Sequence, residues 1–196
     1  MSFEPQIPTW GTHFLDNFED KLLAYHNWLL TTGIQTGLIS PKPEQFIWDE
    51  FIVHSLYFSH LLDGFKQLEF SDLGTGGGIP GVPIAITSKK NISLVDVKES
   101  RINELERLVK ILQLNNCIPK KADAIPYIKR GGNFVSRCYI STEDALNYLK
   151  KSKSSIYLVS SNENVPNYDK DLFHVKHEEF FINKTDLRHI DVITVV

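Results

Sequence analysis

Asp72-Leu73-Gly74-Thr75-Gly76-Gly77-Gly78-Ile79-Pro80-Gly81 is the segment of this chain best suited to hold a small ligand. Gly74, Gly76 and Gly78 alternate, and Asp72 stands two places before the first of them. Glycine takes positive φ without strain and lets a ligand reach the backbone closely. A dinucleotide loop spaces its glycines G-x-G-x-x-G, so that a helix N-terminus can hold a pyrophosphate. Here the spacing is G-x-G-x-G, and an acid at the strand end suits a cationic ligand better than a phosphate. Asp96 closes the run Ile92-Ser93-Leu94-Val95-Asp96. It lies roughly twenty residues past the turn, where an acid can accept hydrogen bonds from ribose hydroxyls. Asp123 follows a third strand-like run in Lys121-Ala122-Asp123-Ala124. Any one Asp after a strand reads first as a helix N-cap. Three acids at the ends of three successive strands point instead to one ligand at the carboxyl ends of an open α/β sheet.

The elements that must position these residues are legible in the hydrophobic pattern. Phe14, Leu15, Phe18, Leu22, Leu23 and Tyr25 recur at helical spacing, predicting a helix within Thr12–Leu30. Thr31–Pro43 carries Gly33, Gly37, Pro41 and Pro43 and reads as a connection before a second helix over Pro43–Leu62. The rhythm then changes. Strands are expected at Gln67–Asp72, Ile92–Val97, Asn116–Pro119, Asn133–Cys138 and Ser155–Ser160. Helices alternate with them at Val82–Ser88, Ser100–Leu114, Ala124–Arg130 and Thr142–Lys151. Such alternation builds a parallel sheet with helices on both faces. His174–Ile182 and Arg188–Val196 are expected to add an antiparallel hairpin at one edge. The fold class is therefore α/β, one domain over residues 1–196, with N-terminal helices in 1–65 and the sheet in 66–196.

Composition narrows the class. With 196 residues, 42% hydrophobic and 23% charged, the chain is an ordinary globular domain. A net charge of −3 gives no general attraction for nucleic acid, although a local basic patch is compatible with it. There is no apolar run of membrane-spanning length, and Met1-Ser2-Phe3-Glu4-Pro5 lacks the basic start and apolar core of a signal peptide, so a cytoplasmic location is expected. Cys117 and Cys138 lack metal-type spacing and read as reduced, buried residues. His174 and His177 would need two more ligands to hold a metal, and no metal is expected. Lys150, Lys151 and Lys153 form a basic cluster that reads as a solvated face.

The glycine loop resembles motif I of the S-adenosylmethionine-dependent methyltransferases, whose ligand has no phosphate and carries a sulfonium and an ammonium. More specifically, Asp72 to Ala85 closely resembles the loop of the 16S ribosomal RNA guanine-N7 methyltransferases, also called glucose-inhibited division protein B. Leu94-Val95-Asp96 looks like that family's second strand. Arg101 to Leu114 looks like its next helix, Ser136-Arg137 like its Ser-Arg-Ala motif, and Arg188 to Ile193 like its C-terminal strand. The resemblance implies a Rossmann-like methyltransferase fold, with Gly74, Ile79, Ala122, Asp123 and Arg137 contacting S-adenosyl-L-methionine. Gly76, Gly78 and Asp96 join them on the loop argument, and Asp123 would accept from the adenine amino group. Arg137 is suited to bind a carboxylate or an RNA phosphate with two parallel hydrogen bonds. The implied reaction is methyl transfer to guanine N7 of small-subunit ribosomal RNA. The implied partner is that RNA or the small ribosomal subunit, and the protein is expected as a monomer. N7 carries an in-plane lone pair and needs no base, so no catalytic residue is assigned.

The chain departs from the family at several places. Glu50-Phe51-Ile52-Val53-His54-Ser55 stands where the family has Arg-His-x-x-Asp-Ser. Thr31-Thr32-Gly33 and Thr36-Gly37-Leu38 replace a Trp-Asn and an Asn-Leu-Thr, and Val159-Ser160-Ser161 replaces a strand end with lysine and glycine. Two other functions stay open on these grounds: a family member that binds cofactor and a partner without catalysis, and a methyltransferase with a small-molecule substrate.

Overall fold

Strand-type runs of apolar residues separated by amphipathic helices give the chain its central sheet, seen in a computed structural model that describes residues 3–149 and 156–196. Helix α1 spans Thr12–Trp28 and runs on through a wider π turn at Leu29–Gly33. Helices α2 (Glu44–Ile47) and α3 (His54–Leu62) are joined by a second π segment, Trp48–Val53. Then follow β1 (Glu69–Leu73), α4 (Gly81–Thr87), β2 (Asn91–Asp96), α5 (Glu99–Ile111) and β3 (Cys117–Lys121). After them come α6 (Ala124–Lys129), β4 (Asn133–Ser136), α7 (Thr142–Leu149) and β5 (Ile156–Ser161). Strands β6 (Phe173–Phe181) and β7 (Leu187–Val195) close the chain.

The seven strands lie in the order β3-β2-β1-β4-β5-β7-β6. The first five are parallel, and β7 runs antiparallel between β5 and β6. Strand order therefore reverses between β1 and β4, which opens a crevice at their carboxyl ends. Both faces are covered. The N-terminal helices, α4 and α5 bury one apolar cluster, which includes Tyr25, Trp48, Phe58 and Leu105. Helices α6 and α7 bury a second, which includes Phe134, Ile128 and Leu146. Period-two alternation splits the hairpin between them: Phe180, Ile182, Ile190 and Val192 face the first cluster, Phe173 and Ile193 the second. Tyr57 stacks on Phe180 at 3.8 Å between ring centres, and Trp10 Nε1 donates to the Phe181 carbonyl at 2.9 Å. The N-terminal helices thus pack as a layer over the sheet.

The expected order of elements holds, with local corrections. The helix does not stop at Thr31: Gly33 lies within it, and its carbonyl accepts from the N–H groups of Leu38 and Ile39, so the connection begins only at Gly37 (φ +70°). Strand β3 runs on to Lys121, with Pro119 tolerated because β3 is an edge strand. Strand β4 ends at Ser136, and Cys138, at φ +56°, turns the chain off the sheet. Cys138 is consequently exposed, against expectation, whereas Cys117 is buried. The basic cluster at 150–153 and the expected start of β5 at 155 lie outside the described residues.

Candidate active site

The glycine loop is tied down from three sides. The Val95 carbonyl at the end of β2 accepts from both Gly74 N (2.9 Å) and Thr75 N (3.1 Å). The fully buried Tyr25 hydroxyl, reaching from α1, donates to the Gly77 carbonyl at 2.9 Å. Asp72 Oδ2 accepts from Thr75 Oγ1 at 2.6 Å and from Gly81 N at 2.8 Å. Asp72 is 0% exposed and points into the loop, so it is a clamp and not a counter-ion for a cationic ligand. Burial, together with the charge of Asp96, pushes its carboxyl up to about 7 against the pull of the two hydrogen bonds.

The glycines serve different ends. A Cβ at Gly74 would fall 2.2 Å from the ring of Tyr139, and one at Gly78 2.5 Å from Val82. These two make room for protein. At Gly76, at φ +55°, the nearest neighbour would be 3.9 Å away, so the loop is open to an incoming ligand there. Gly76 N also donates to Asp96 Oδ2 at 3.2 Å, which brings the loop and the second strand end together.

Asp96 is 4% exposed and already well supplied with donors. Its Oδ1 accepts from Lys98 N at 2.9 Å, and its Oδ2 also meets Arg101 Nη1 at 3.0 Å. Ala122 N donates to the Asp96 carbonyl at 3.1 Å, so the ends of β2 and β3 are joined. Asp123 is exposed and caps α6 through Ile125 N at 3.1 Å, the role that Asp commonly takes after a strand. Ile79 is buried in the first apolar cluster behind the loop. Gly74, Gly76, Gly78, Asp96, Ala122 and Asp123 therefore converge at the carboxyl edge of the sheet.

Arg137 does not join them directly. Its Nη2 lies 2.7 Å from Glu50 Oε2, and its guanidinium carbon lies 5.3 Å from the centre of the Phe51 ring. Arg188, from β7, pairs with the other oxygen of Glu50. His54, one turn on, is 3.8 Å from Glu50, too far for a hydrogen bond. Among the described residues, both His54 ring nitrogens and Arg137 Nε are buried without hydrogen-bond partners. Burial would raise the Glu50 carboxyl, but its polar neighbours, the two arginines foremost in this geometry, hold it down at about 2. Burial takes His54 down to about 4 and keeps it neutral. These groups line a recess of about 370 Å³ with Tyr139, Ser160 and Asn162. Tyr139 links the recess to the loop, since its ring packs on Gly74. With two guanidiniums, one carboxylate and a neutral imidazole, the recess carries a net positive charge.

Sequence reasoning missed Tyr25, Arg101 and Tyr139, which carry no motif. Glu50 and His54 were visible only as departures from the family's helix motif, with no sign that they would meet Arg137 and Arg188. A cavity of about 570 Å³ at the amino ends of β1, β2 and β4 contains none of the predicted site residues.

The sequence model of the GidB family, described as rRNA small subunit methyltransferase G, matches residues 18–186. The chain belongs to this family. The family's ribosomal RNA small subunit methyltransferase G from Corynebacterium glutamicum is 34% identical over 104 residues, 53% of this chain and 45% of that protein. The GidB relative of the same name from Flavobacterium johnsoniae is 28% identical over 138 residues, 69% of this chain and 64% of that protein. The chain thus spans between 45% and 64% of the length of these GidB relatives. The Rossmann-like methyltransferase fold is shared more widely. Magnesium protoporphyrin IX methyltransferase from Synechocystis PCC 6803 with bound SAH is similar at a TM-score of 0.56 and 13% identity, over 89% of this chain and 100% of that one. Among the described residues of this GidB member, no helix is long and apolar enough to cross a membrane.

Proposed function

We propose that this chain transfers a methyl group from S-adenosyl-L-methionine to guanine N7 of small-subunit ribosomal RNA. The observation that carries the reading is the meeting of the open Gly76 with the Asp96 carboxylate at the carboxyl ends of β1 and β2, in a chain of the GidB family. A nucleoside fits this place. Gly76 leaves the backbone bare, Asp96 accepts from ribose hydroxyls, and Ala122 and Asp123 border the adenine. Ile79 supports the loop from behind, with Gly74 and Gly78 keeping its shape.

When bound, the cofactor supplies an electrophilic methyl on a cationic sulfur. Held by Gly76, Asp96, Ala122 and Asp123, it would offer that methyl to the lone pair of N7, with the electron pair of the broken carbon–sulfur bond left on sulfur. No proton moves, so the protein has only to align the three atoms. The recess around Arg137 and Arg188 borders the loop through Tyr139 and is the place for the RNA. A phosphate there would find two guanidiniums, at the cost of competing with Glu50. The protein acts as a monomer in the cytoplasm.

The same Glu50 contact favours a second reading, a family member that binds cofactor without transfer, because it occupies the arginine otherwise free for substrate. Labelled cofactor incubated with naked 16S RNA and with small subunits, at matched salt, separates the two. The net charge of −3 gives little attraction for free RNA, so labelling of the assembled particle and not of the naked RNA is expected. Labelling of neither, with cofactor binding intact, would overturn ribosomal RNA as the substrate and favour the non-catalytic reading or a small-molecule substrate.

A further inference from the structure

We infer that the C-terminal hairpin holds a transition-metal site of the zinc class, built from His177, Glu179 and His189 with Asp191 behind them. Register brings them together. His177 lies opposite Asp191 and Glu179 opposite His189, and all four project to one face of the β6–β7 ladder. His174 lies on the other face by the same alternation, so the partner of His177 comes from across the ladder and not from three residues back.

The distances suit a metal. One ligand atom from each of His177, Glu179 and His189 can be chosen so that all lie within 4.8 Å of one another. His177 Nε2 is 3.0 Å from His189 Nδ1, and His189 Nδ1 is 3.8 Å from Glu179 Oε1. Zinc bound to nitrogen and oxygen at about 2.0–2.2 Å in tetrahedral geometry sets its ligands roughly 3.3 Å apart. These two separations bracket that value, so closing the site needs only side-chain adjustment.

The surroundings supply the second shell. Asp191 is 0% exposed; its Oδ1 takes His177 Nδ1 at 2.6 Å, and its Oδ2 takes Thr142 Oγ1 at 2.5 Å. A carboxylate only accepts, so Nδ1 of His177 carries the hydrogen and Nε2 turns its lone pair to the metal position. This carboxylate–histidine arrangement is the one that orients metal-bound imidazoles. Two imidazoles and one carboxylate select zinc over magnesium or calcium, which prefer all-oxygen sites. With three protein ligands, a fourth position stays open to solvent beside the exposed Glu179. The metal would tie edge strand β6 to β7, close to the recess, since His189 pairs in register with Ser161.

The test uses the full chain without a histidine tag, stripped with chelator and titrated calorimetrically with Zn²⁺ alone. One equivalent should bind, and Co²⁺ in its place should show the visible absorption of a tetrahedral site. His177→Gln and His189→Gln should each weaken binding at least 100-fold, and Glu179→Gln about 10-fold. Asp191→Asn should weaken it 10–100-fold. Asp191 also holds Thr142, so its variant can fail to fold; Glu179 is at the surface and gives a variant that folds. The proposal is overturned if the wild type shows no saturable Zn²⁺ binding at micromolar concentration, which leaves a hydrogen-bonded imidazole pair only. It is equally overturned if the His177 and Glu179 variants bind as the wild type does, which places the ion elsewhere.

Discussion

At the scale of single residues, Asp96 and Gly76 are the test of the cofactor site. Asp96 is nearly buried, so its carboxylate is a strong acceptor for a ribose and already holds Arg101 and two backbone N–H groups. Asp96→Ala should weaken S-adenosylmethionine binding by about 1–3 kcal/mol, the cost of leaving buried hydroxyls without partners. Gly76→Val should abolish it, by filling the open face and straining a position at φ +55°. Calorimetric titration gives the affinities, and circular dichroism separates lost binding from lost fold. Unchanged affinity in a folded Asp96→Ala protein would reduce Asp96 to a cap.

At the scale of the element, Asp72 makes the loop and α4 one unit. Pro80, at the N-cap of α4, has no side chain to receive the helix's first N–H groups, and Asp72 takes the one from Gly81 across the loop. The folded carboxyl titrates at about 7, above its ordinary 3.8. Both folded and unfolded chains are protonated below that ordinary value, so this group's stabilisation is complete there and is lost as pH rises through about 7. Asp72→Asn keeps an acceptor for Thr75 and Gly81 but cannot ionise. Its melting temperature should therefore gain on the wild type's as pH rises through this window. Thermal melts of both proteins from acid to slightly alkaline pH check this. A constant difference would show that folding leaves the Asp72 carboxyl at its ordinary value. His54 cannot produce the effect, since burial drives it the opposite way and it is common to both proteins.

At the scale of the molecule, Glu50 is the joint between three distant parts of the chain. It sits in the N-terminal helical layer and holds Arg137 after β4 and Arg188 on β7. Glu50→Gln leaves two guanidiniums facing each other around a neutral group and should cost about 3 kcal/mol. That is the low end for breaking a buried pair, because Arg188 is partly exposed. The folded carboxyl is depressed to about 2 from 4.5, so the contribution is present above 4.5 and lost as pH falls through 2. Denaturant unfolding of both proteins should show the full difference at neutral pH and its disappearance near the acid limit. A gap that persists in strong acid would assign the effect to packing.

The order of helices and strands, the loop and the acids at the strand ends were determined by the sequence alone. These rest on local physics: hydrophobic period, glycine spacing and turn residues act within a few positions. The family could be read for the same reason, because Asp72 to Ala85 is one continuous stretch. Only the tertiary structure decided which partners each polar group finds. Asp72 turned inward to Gly81, Asp96 met Arg101, and Arg137 went to a glutamate 87 positions away in sequence. It likewise joined His177 to His189 across a ladder, where the sequence showed only an unconvincing His174–His177 pair. Such pairings depend on strand register and on the crossing of the N-terminal layer over the sheet. Both are settled by the burial of whole faces, which leaves no mark at the residues that meet.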